Sequence, residues 1–261
     1  MSLCYHSVHS DKPFATVTPE LFEAHLAWLT ENCELSPMTT ESVDDALRTP
    51  VNDKPRVMIT FDDGYDDNFD IVVPTLLKHG LTATFFITTG FLAGDRATLE
   101  RYLRERDCDA DWLTPLTWSQ LREMRSAGMT IGAHGHTHRS FATLNDSDAL
   151  EELRVSRAML EDELQEPINA MAYPYGKPGA HFSPRTAELV ADVGYEFSAA
   201  IIARGIRASD SRYAVPRFFV ARDSVERLAE KVTGRWDAIG WWQEKAPTRL
   251  RRLVSPVDFS H

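Results

Sequence analysis

Two adjacent carboxylates, Asp62 and Asp63, follow an apolar run and precede a glycine. Residues 57–59 are strand formers that suit a strand buried on both faces, as in a parallel sheet covered by helices. Gly64 then permits a sharp turn. The carboxyl end of a buried strand is where α/β proteins place their chemistry, and neighbouring residues there point in different directions. We therefore predict different roles for the two acids, with Asp63 binding a metal ion and Asp62 acting as a base.

The same stretch also allows a purely structural interpretation. A helix N-cap followed by an acidic first turn would use such residues, and we favour this interpretation for Asp66, Asp67 and Asn68. For Asp62 and Asp63 the histidines downstream favour chemistry.

Three histidines, His134, His136 and His138, begin where the predicted strand 129–133 ends. If the chain turns there in helix-like geometry, His134 and His138 lie on one side and can share a metal ion. His136 falls between them, so we expect it to support the site or face solvent. Two imidazoles and one carboxylate from separate strands leave positions open for water and substrate, as catalytic zinc sites do.

Tyr173, Pro174, Tyr175 and Gly176 form the third candidate motif, a tight turn at another predicted strand end. A backbone N–H in such a turn could face a developing oxyanion. The motif is weak alone and gains meaning from its order behind the other two.

Strands and helices alternate along the chain, which predicts an α/β fold with a parallel sheet and helical crossovers. The length of 261 residues is close to that of one α/β barrel. We divide it into residues 1–53, an N-terminal strand and helices completing the barrel; 54–235, the catalytic domain; and 236–261, a peripheral tail. Residues 95–106 are highly charged and are predicted to form a solvated helix, and residues 69–78 a helix that Pro74 interrupts.

Composition excludes several classes of protein. A formal charge of −11 argues against nucleic-acid binding. The cysteines Cys4, Cys33 and Cys108 form neither a metal-ligand pattern nor an even disulfide set, so we predict reduced structural thiols. There is no apolar run long enough for a membrane span. The first residues read as a strand and not as a signal peptide, which favours a cytoplasmic location, although removal of a leader would leave an extracytoplasmic one open.

The three motifs together resemble those of NodB-type polysaccharide deacetylases, carbohydrate esterase family 4. Residues 60–64 (TFDDG) look like that family's first motif, His134-xxx-His138 like its second and residues 173–176 (YPYG) like its third. Residues 3–7 (LCYHS) are similar to the lead-in of the branch that deacetylates exopolysaccharide and poly-N-acetylglucosamine.

This resemblance implies a distorted, incomplete (β/α) barrel of about seven parallel strands and metal-dependent removal of acetyl groups from N-acetylated, or O-acetylated, sugars of a glycan. It implies Asp62 as general base and the Tyr175 N–H as oxyanion donor. It also implies Asp63, His134 and His138 as ligands of a divalent ion, for which zinc is our first choice and cobalt, nickel and iron also fit.

The chain departs from the family pattern at three points. Gly135 stands where a serine or threonine is usual, and Thr137 could compensate for the missing hydroxyl. Ala172 stands where an arginine usually steadies the base; Arg217 is a candidate replacement, with a surface arginine as the alternative. The late leucine–histidine motif that would supply the general acid is missing, so we suggest His6, with a structural histidine as the alternative.

Other functions remain open at this point. An allantoinase-like amidohydrolase could use the same scaffold, although the complete ligand set counts against it. The amidohydrolase superfamily could use His134-x-His136, but its HxH belongs on the first barrel strand. A catalytically impaired relic could bind carbohydrate through tryptophans that stack on sugar rings, although large aromatic residues more often belong to a core or an interface. The tryptophans in question are Trp112, Trp118, Trp241 and Trp242. The sequence leaves the oligomeric state open.

Overall fold

The computed structural model describes residues 1–11, 16–48, 54–109 and 112–237. Its strands are β1 (Ser2–Tyr5), β2 (Ser7–Val8), β3 (Thr16–Val17), β4 (Glu34–Pro37), β5 (Arg56–Asp63), β6 (Thr84–Ile87), β7 (Thr130–Ala133), β8 (Ala170–Ala172), β9 (Phe197–Ile201) and β10 (Val215–Phe219). Its α-helices are α1 (Pro19–Asn32), α2 (Thr40–Arg48), α3 (Val73–Lys78), α4 (Thr89–Leu92), α5 (Arg96–Glu105), α6 (Trp118–Ser126), α7 (Asp146–Leu164), α8 (Pro184–Val193) and α9 (Val225–Val232).

Seven parallel strands close into a barrel in the order β1, β10, β9, β8, β7, β6, β5 and back to β1. The N-terminal strand closes the ring, since Leu3 pairs with Phe218 of β10 on one side and with Ile59 of β5 on the other. β4 is an additional strand that pairs with β5. The predicted distorted (β/α) barrel is therefore confirmed.

Successive side chains along each strand point alternately into the barrel interior and toward the surrounding helices. Phe86 and Phe197 fill the interior together with Ala170 and Ala172, and Val43 of α2 packs on the same cluster. Gly132 accommodates Phe86, because a Cβ at that position would lie 2.6 Å from the phenyl ring. A filled interior leaves the carboxyl ends of the strands as the place for chemistry.

Three local predictions need correction. Residues 69–78 are helical as predicted, with a π-helical turn, Asn68–Val72, that runs directly into α3, but Pro74 does not interrupt them, because it lies in the first turn of α3, where a missing N–H costs little. Asp67 lies at the N-cap of that turn, but its carboxylate makes no capping bond and accepts hydrogen bonds from Ser7 and Val8 instead. The helix α5 is charged as predicted, but it is not simply solvated, because its Tyr102 is buried.

Within the described part of the chain, no helix combines the length and apolarity required to cross a bilayer. Trp118 packs against the main core and Trp112 is half-buried. Trp241, Trp242, residues 49–53 of a predicted loop and the tail from residue 238 onward lie outside the described residues.

Candidate active site

Asp63, His134 and His138 meet at the carboxyl ends of β5 and β7. The Asp63 Oδ1 atom lies 3.4 Å from His134 Nε2 and 3.1 Å from His138 Nε2. All three side chains are buried, and one ligand atom from each lies within 4.8 Å of the others. Asp63 Oδ1 receives no hydrogen bond of normal geometry from any residue that the structure describes. Two imidazole nitrogens facing an unsatisfied carboxylate oxygen form a donor set that fits a divalent metal ion.

Backbone geometry explains how these side chains converge. The predicted helix-like turn is wrong: residues 134–138 form an irregular loop in which Gly135 and His138 have φ values of 74° and 55°. Asp63 has a φ of 78°, so it leaves the alternation of β5 and diverges from Asp62. Non-glycine residues held at positive φ are uncommon and cluster at functional sites.

The ring of His134 has a fixed orientation. Its Nδ1 lies 2.9 Å from the carbonyl oxygen of Ala172, which can only accept a hydrogen bond. Nδ1 therefore carries the proton, and Nε2 keeps a lone pair that faces Asp63. A bond of this kind is what commonly sets the tautomer of metal-binding histidines.

Tyr102 of α5 also contacts the site, and the sequence did not single it out. Its hydroxyl donates a 2.6 Å hydrogen bond to Asp63 Oδ2, so the two carboxylate oxygens have different partners. The hydroxyl oxygens of Tyr65 and Tyr102 lie 2.6 Å apart, and the Arg106 guanidinium carbon lies 3.5 Å from the centroid of the Tyr102 ring. The signal in the sequence was an aromatic residue within a helix rich in charged residues.

A second residue that the sequence did not reveal is Glu152 of α7. Its Oε2 accepts 2.8 Å hydrogen bonds from the backbone N–H groups of His136 and Thr137, and its Oε1 accepts from the Thr137 hydroxyl. A Cβ on Gly135 would lie 3.3 Å from Oε2. The loop is thus held by Thr137 and Glu152. The available signal was an acid at a position with core spacing, next to buried Leu153.

His136 does not join the metal-ligand group. Its Nδ1 lies 3.0 Å from the Thr89 hydroxyl, and its carbonyl oxygen accepts a hydrogen bond from the Gly90 N–H. The ring nitrogens that face Asp63 belong to His134 and His138. The geometry therefore does not support a metal-binding His134-x-His136 pair of the amidohydrolase type.

Asp62 is held by Arg217 through two parallel hydrogen bonds. Arg217 Nη1 lies 2.7 Å from Oδ1, and Nη2 lies 2.7 Å from Oδ2. The alternative of a surface arginine is wrong, because Arg217 is 0% exposed. Burial favours a higher pKa for Asp62, but the charge and the hydrogen bonds of Arg217 outweigh it and hold this pKa below its usual value. Asp62 is therefore an ionised carboxylate at neutral pH.

His6 follows β1 and borders the same carboxylate. One of its ring nitrogens lies within 4.8 Å of both an Asp62 oxygen and the Cys4 sulfur. The ring is half-buried and packs edge-on against Phe219, with centroids 5.1 Å apart. Burial lowers the pKa of His6, and the negative charges of Asp63 and Asp62 act against that shift.

Tyr175 lies in the turn that follows β8 and borders the metal-ligand group. Its ring packs edge-on against His138 with centroids 5.0 Å apart, and its hydroxyl donates a 2.8 Å hydrogen bond to Glu105. Its backbone adopts a φ of 62°. The structure thus brings together every residue that the sequence predicted for the site.

Comparisons with known proteins agree with this geometry. Residues 50–198 match the family model for polysaccharide deacetylase. The chain is 26% identical over 222 residues to YxkH of Bacillus subtilis (strain 168), which covers 84% of this chain and 70% of that protein. It is 22% identical over 231 residues to the poly-beta-1,6-N-acetyl-D-glucosamine N-deacetylase of Staphylococcus aureus (strain MRSA252), covering 85% and 72%.

Solved structures share the fold. The Streptococcus pyogenes deacetylase PplD superposes with a TM-score of 0.73 at 22% identity, over 88% of this chain and 96% of that one. IcaB from Ammonifex degensii superposes with a TM-score of 0.69 at 22% identity, over 89% and 96%. Since the family model matches more than half of the chain, this protein belongs to the polysaccharide deacetylase family and is a deacetylase hydrolase.

Proposed function

We propose that this protein is a metal-dependent de-N-acetylase of a polymer of N-acetylated amino sugars. The observation that carries the proposal is the convergence of the unsatisfied Asp63 Oδ1 with the Nε2 atoms of His134 and His138, beside an ionised Asp62. The relative from Staphylococcus aureus, which is named as an N-deacetylase of poly-beta-1,6-N-acetyl-D-glucosamine, supports this class of substrate.

Asp63, His134 and His138 would hold the ion, with zinc as first choice and cobalt, nickel or iron also compatible with the mixed nitrogen and oxygen ligands. When bound, such an ion polarises the amide carbonyl and lowers the pKa of water. Asp62, ionised and oriented by Arg217, accepts the proton of the attacking water. The Tyr175 backbone N–H donates to the developing oxyanion. The proton that Asp62 takes from water passes through His6, whose ring lies beside Asp62, to the departing amine as the C–N bond breaks.

The direct test combines metal analysis with an acetate-release assay over four substrates: chitin oligomers, poly-N-acetylglucosamine, peptidoglycan and acetylated xylan. We expect one bound ion per chain and acetate release from a polymer of N-acetylglucosamine, lost on chelation and restored by zinc. Acetate from xylan alone would indicate O-deacetylation. A carbohydrate-binding relic would bind glycan and release nothing, whereas an allantoinase-like enzyme would hydrolyse ureides and leave all four substrates intact.

His6→Ala is expected to lower turnover by about 10²–10⁴-fold, the usual contribution of a positioned general acid or base. The ion should remain, because His6 is not among the three residues that would hold it. Acetate release and metal content are measured on the same preparation. His79→Ala removes a histidine whose partner is Glu23 on the surface and serves as the control. Unaltered rates with an N-acetylglucosamine oligomer would eliminate His6 as the acid.

Glu152→Gln is expected to weaken metal binding by about 10–100-fold, the usual cost of losing a partner that supports metal ligands. An amide offers one acceptor oxygen in place of two, and its NH₂ group would face N–H or O–H donors. Metal affinity is measured by competition with a chelator. Glu151→Gln changes the neighbouring, exposed acid of α7 and should bind metal like the unmodified protein. Equal affinity in both variants would show that Glu152 does not support the histidine loop.

A further inference from the structure

A second group of potential metal ligands, Cys4, His6 and Asp62, adjoins the first, since Asp62 Oδ2 lies 3.8 Å from His134 Nε2. The Cys4 sulfur is 3.3 Å from Asp62 Oδ2 and 4.0 Å from His6 Nδ1. One ligand atom from each of these three residues lies within 4.8 Å of the others. Cys4 and Asp62 are buried, whereas His6 is half-buried, so the cluster is open to solvent on the side of His6.

The spacing suits a small cation. Bonds of about 2.0–2.3 Å in tetrahedral geometry place neighbouring ligand atoms about 3.3–3.8 Å apart. The Cys4–Asp62 separation already falls in this range, and the Cys4–His6 separation exceeds it slightly. The third separation, from His6 to Asp62, is no more than 4.8 Å, so the His6 ring has to move toward the other two ligands for all three to bind one cation.

The chemistry of the ligands restricts which cation can bind. The Cys4 thiol donates its hydrogen to Asp62 Oδ2, so a cation would take the place of that proton. The S–H bond breaks, a sulfur–metal bond forms, and the proton leaves to solvent. A thiolate with an imidazole favours zinc, cobalt or cadmium over magnesium or calcium.

Arg217 makes this site weaker than the one at Asp63. Its guanidinium already binds both oxygens of Asp62, and its positive charge opposes a cation nearby. The thiolate and the carboxylate offset that charge in part. We therefore expect occupancy only when metal exceeds one equivalent per chain.

We propose that Cys4, His6 and Asp62 form a second site for a thiophilic divalent cation and that filling it inhibits the enzyme. The inhibition rests on the proposed function, because the cation would bind Asp62, the proposed base, and His6, the proposed acid. The binding itself does not depend on that function.

Cobalt titration separates the two sites, because the ligands at Asp63 contain no sulfur. We expect the first equivalent of cobalt to bind without a thiolate-to-cobalt charge-transfer band, and the band to grow with the second equivalent. Cys4→Ser should keep the first equivalent and lose the band. Cys33→Ser and Cys108→Ser should keep the band and control for the two other free thiols. Zinc beyond one equivalent should suppress acetate release in the unmodified protein but not in Cys4→Ser, each compared with its own rate at one equivalent.

The cobalt spectrum of the unmodified protein tests the second site even if a variant folds poorly. Absence of the band at saturating cobalt, or its persistence in folded Cys4→Ser, would overturn the site. A band without zinc inhibition in an active enzyme would overturn the inhibitory role. Failure to release acetate at one metal per chain would instead count against the proposed function, and the spectroscopic result would stand apart from it.

Discussion

Asp62→Asn is expected to reduce the turnover of the enzyme by about 10²–10⁴-fold, the range for loss of a general base, while leaving the metal content intact. Asparagine matches the shape of aspartate but cannot accept the proton of water. The three residues proposed to hold the ion are unchanged, and His134 keeps its bond to the Ala172 carbonyl. Acetate release and metal content, measured on the same preparation, test the loss of turnover and the retention of the metal.

Two further measurements make this result interpretable. The substitution leaves the Arg217 charge buried beside a neutral amide, so thermal unfolding must show that the variant is folded at the assay temperature. Asp70→Asn removes an exposed carboxylate from the same stretch and should leave turnover unchanged. Loss of the metal in Asp62→Asn would show that the roles of the two aspartates are exchanged.

The parts of the fold that the sequence predicted are those set by local patterns. The apolar run before Asp62 and the alternation of strands and helices predict a parallel barrel, because buried parallel strands and their crossovers each need a continuous stretch of chain. The acids and histidines at strand ends could be placed together for the same reason, since the carboxyl ends of parallel strands share one edge.

Contacts between distant side chains were harder to predict. The motif position at Ala172 lacks an arginine, and only the structure shows that Arg217, 155 residues after Asp62, is buried against that carboxylate. Tyr102 and Glu152 lie on helices whose local periodicity says nothing about which residue reaches a neighbouring loop. The histidine loop was expected to be helix-like because spacing alone cannot reveal the positive φ values of Gly135 and His138.

Arg217→Met is expected to produce the largest loss of stability of any single change at the site, about 3–5 kcal/mol, because it leaves Asp62 as a buried carboxylate without its partner. Methionine preserves much of the volume, so the loss reflects the charge more than a cavity. Urea unfolding of the metal-free protein measures it. Arg185→Met, which breaks two exposed ion pairs, is the control and should change stability little.

The pH dependence of this loss distinguishes an ion pair from simple packing. In the unmodified protein the pKa of Asp62 is depressed, so its contribution to stability is present above the unfolded pKa of about 4 and is lost as pH falls through the folded value. Without Arg217, burial raises that pKa, and the cost of ionising Asp62 grows as pH rises above 4. The difference in unfolding free energy should therefore be largest near neutral pH and shrink toward pH 4. A difference that is constant across this range would mean that Arg217 stabilises the barrel by packing. The pKa of Asp62 would then not depend on the charge of Arg217.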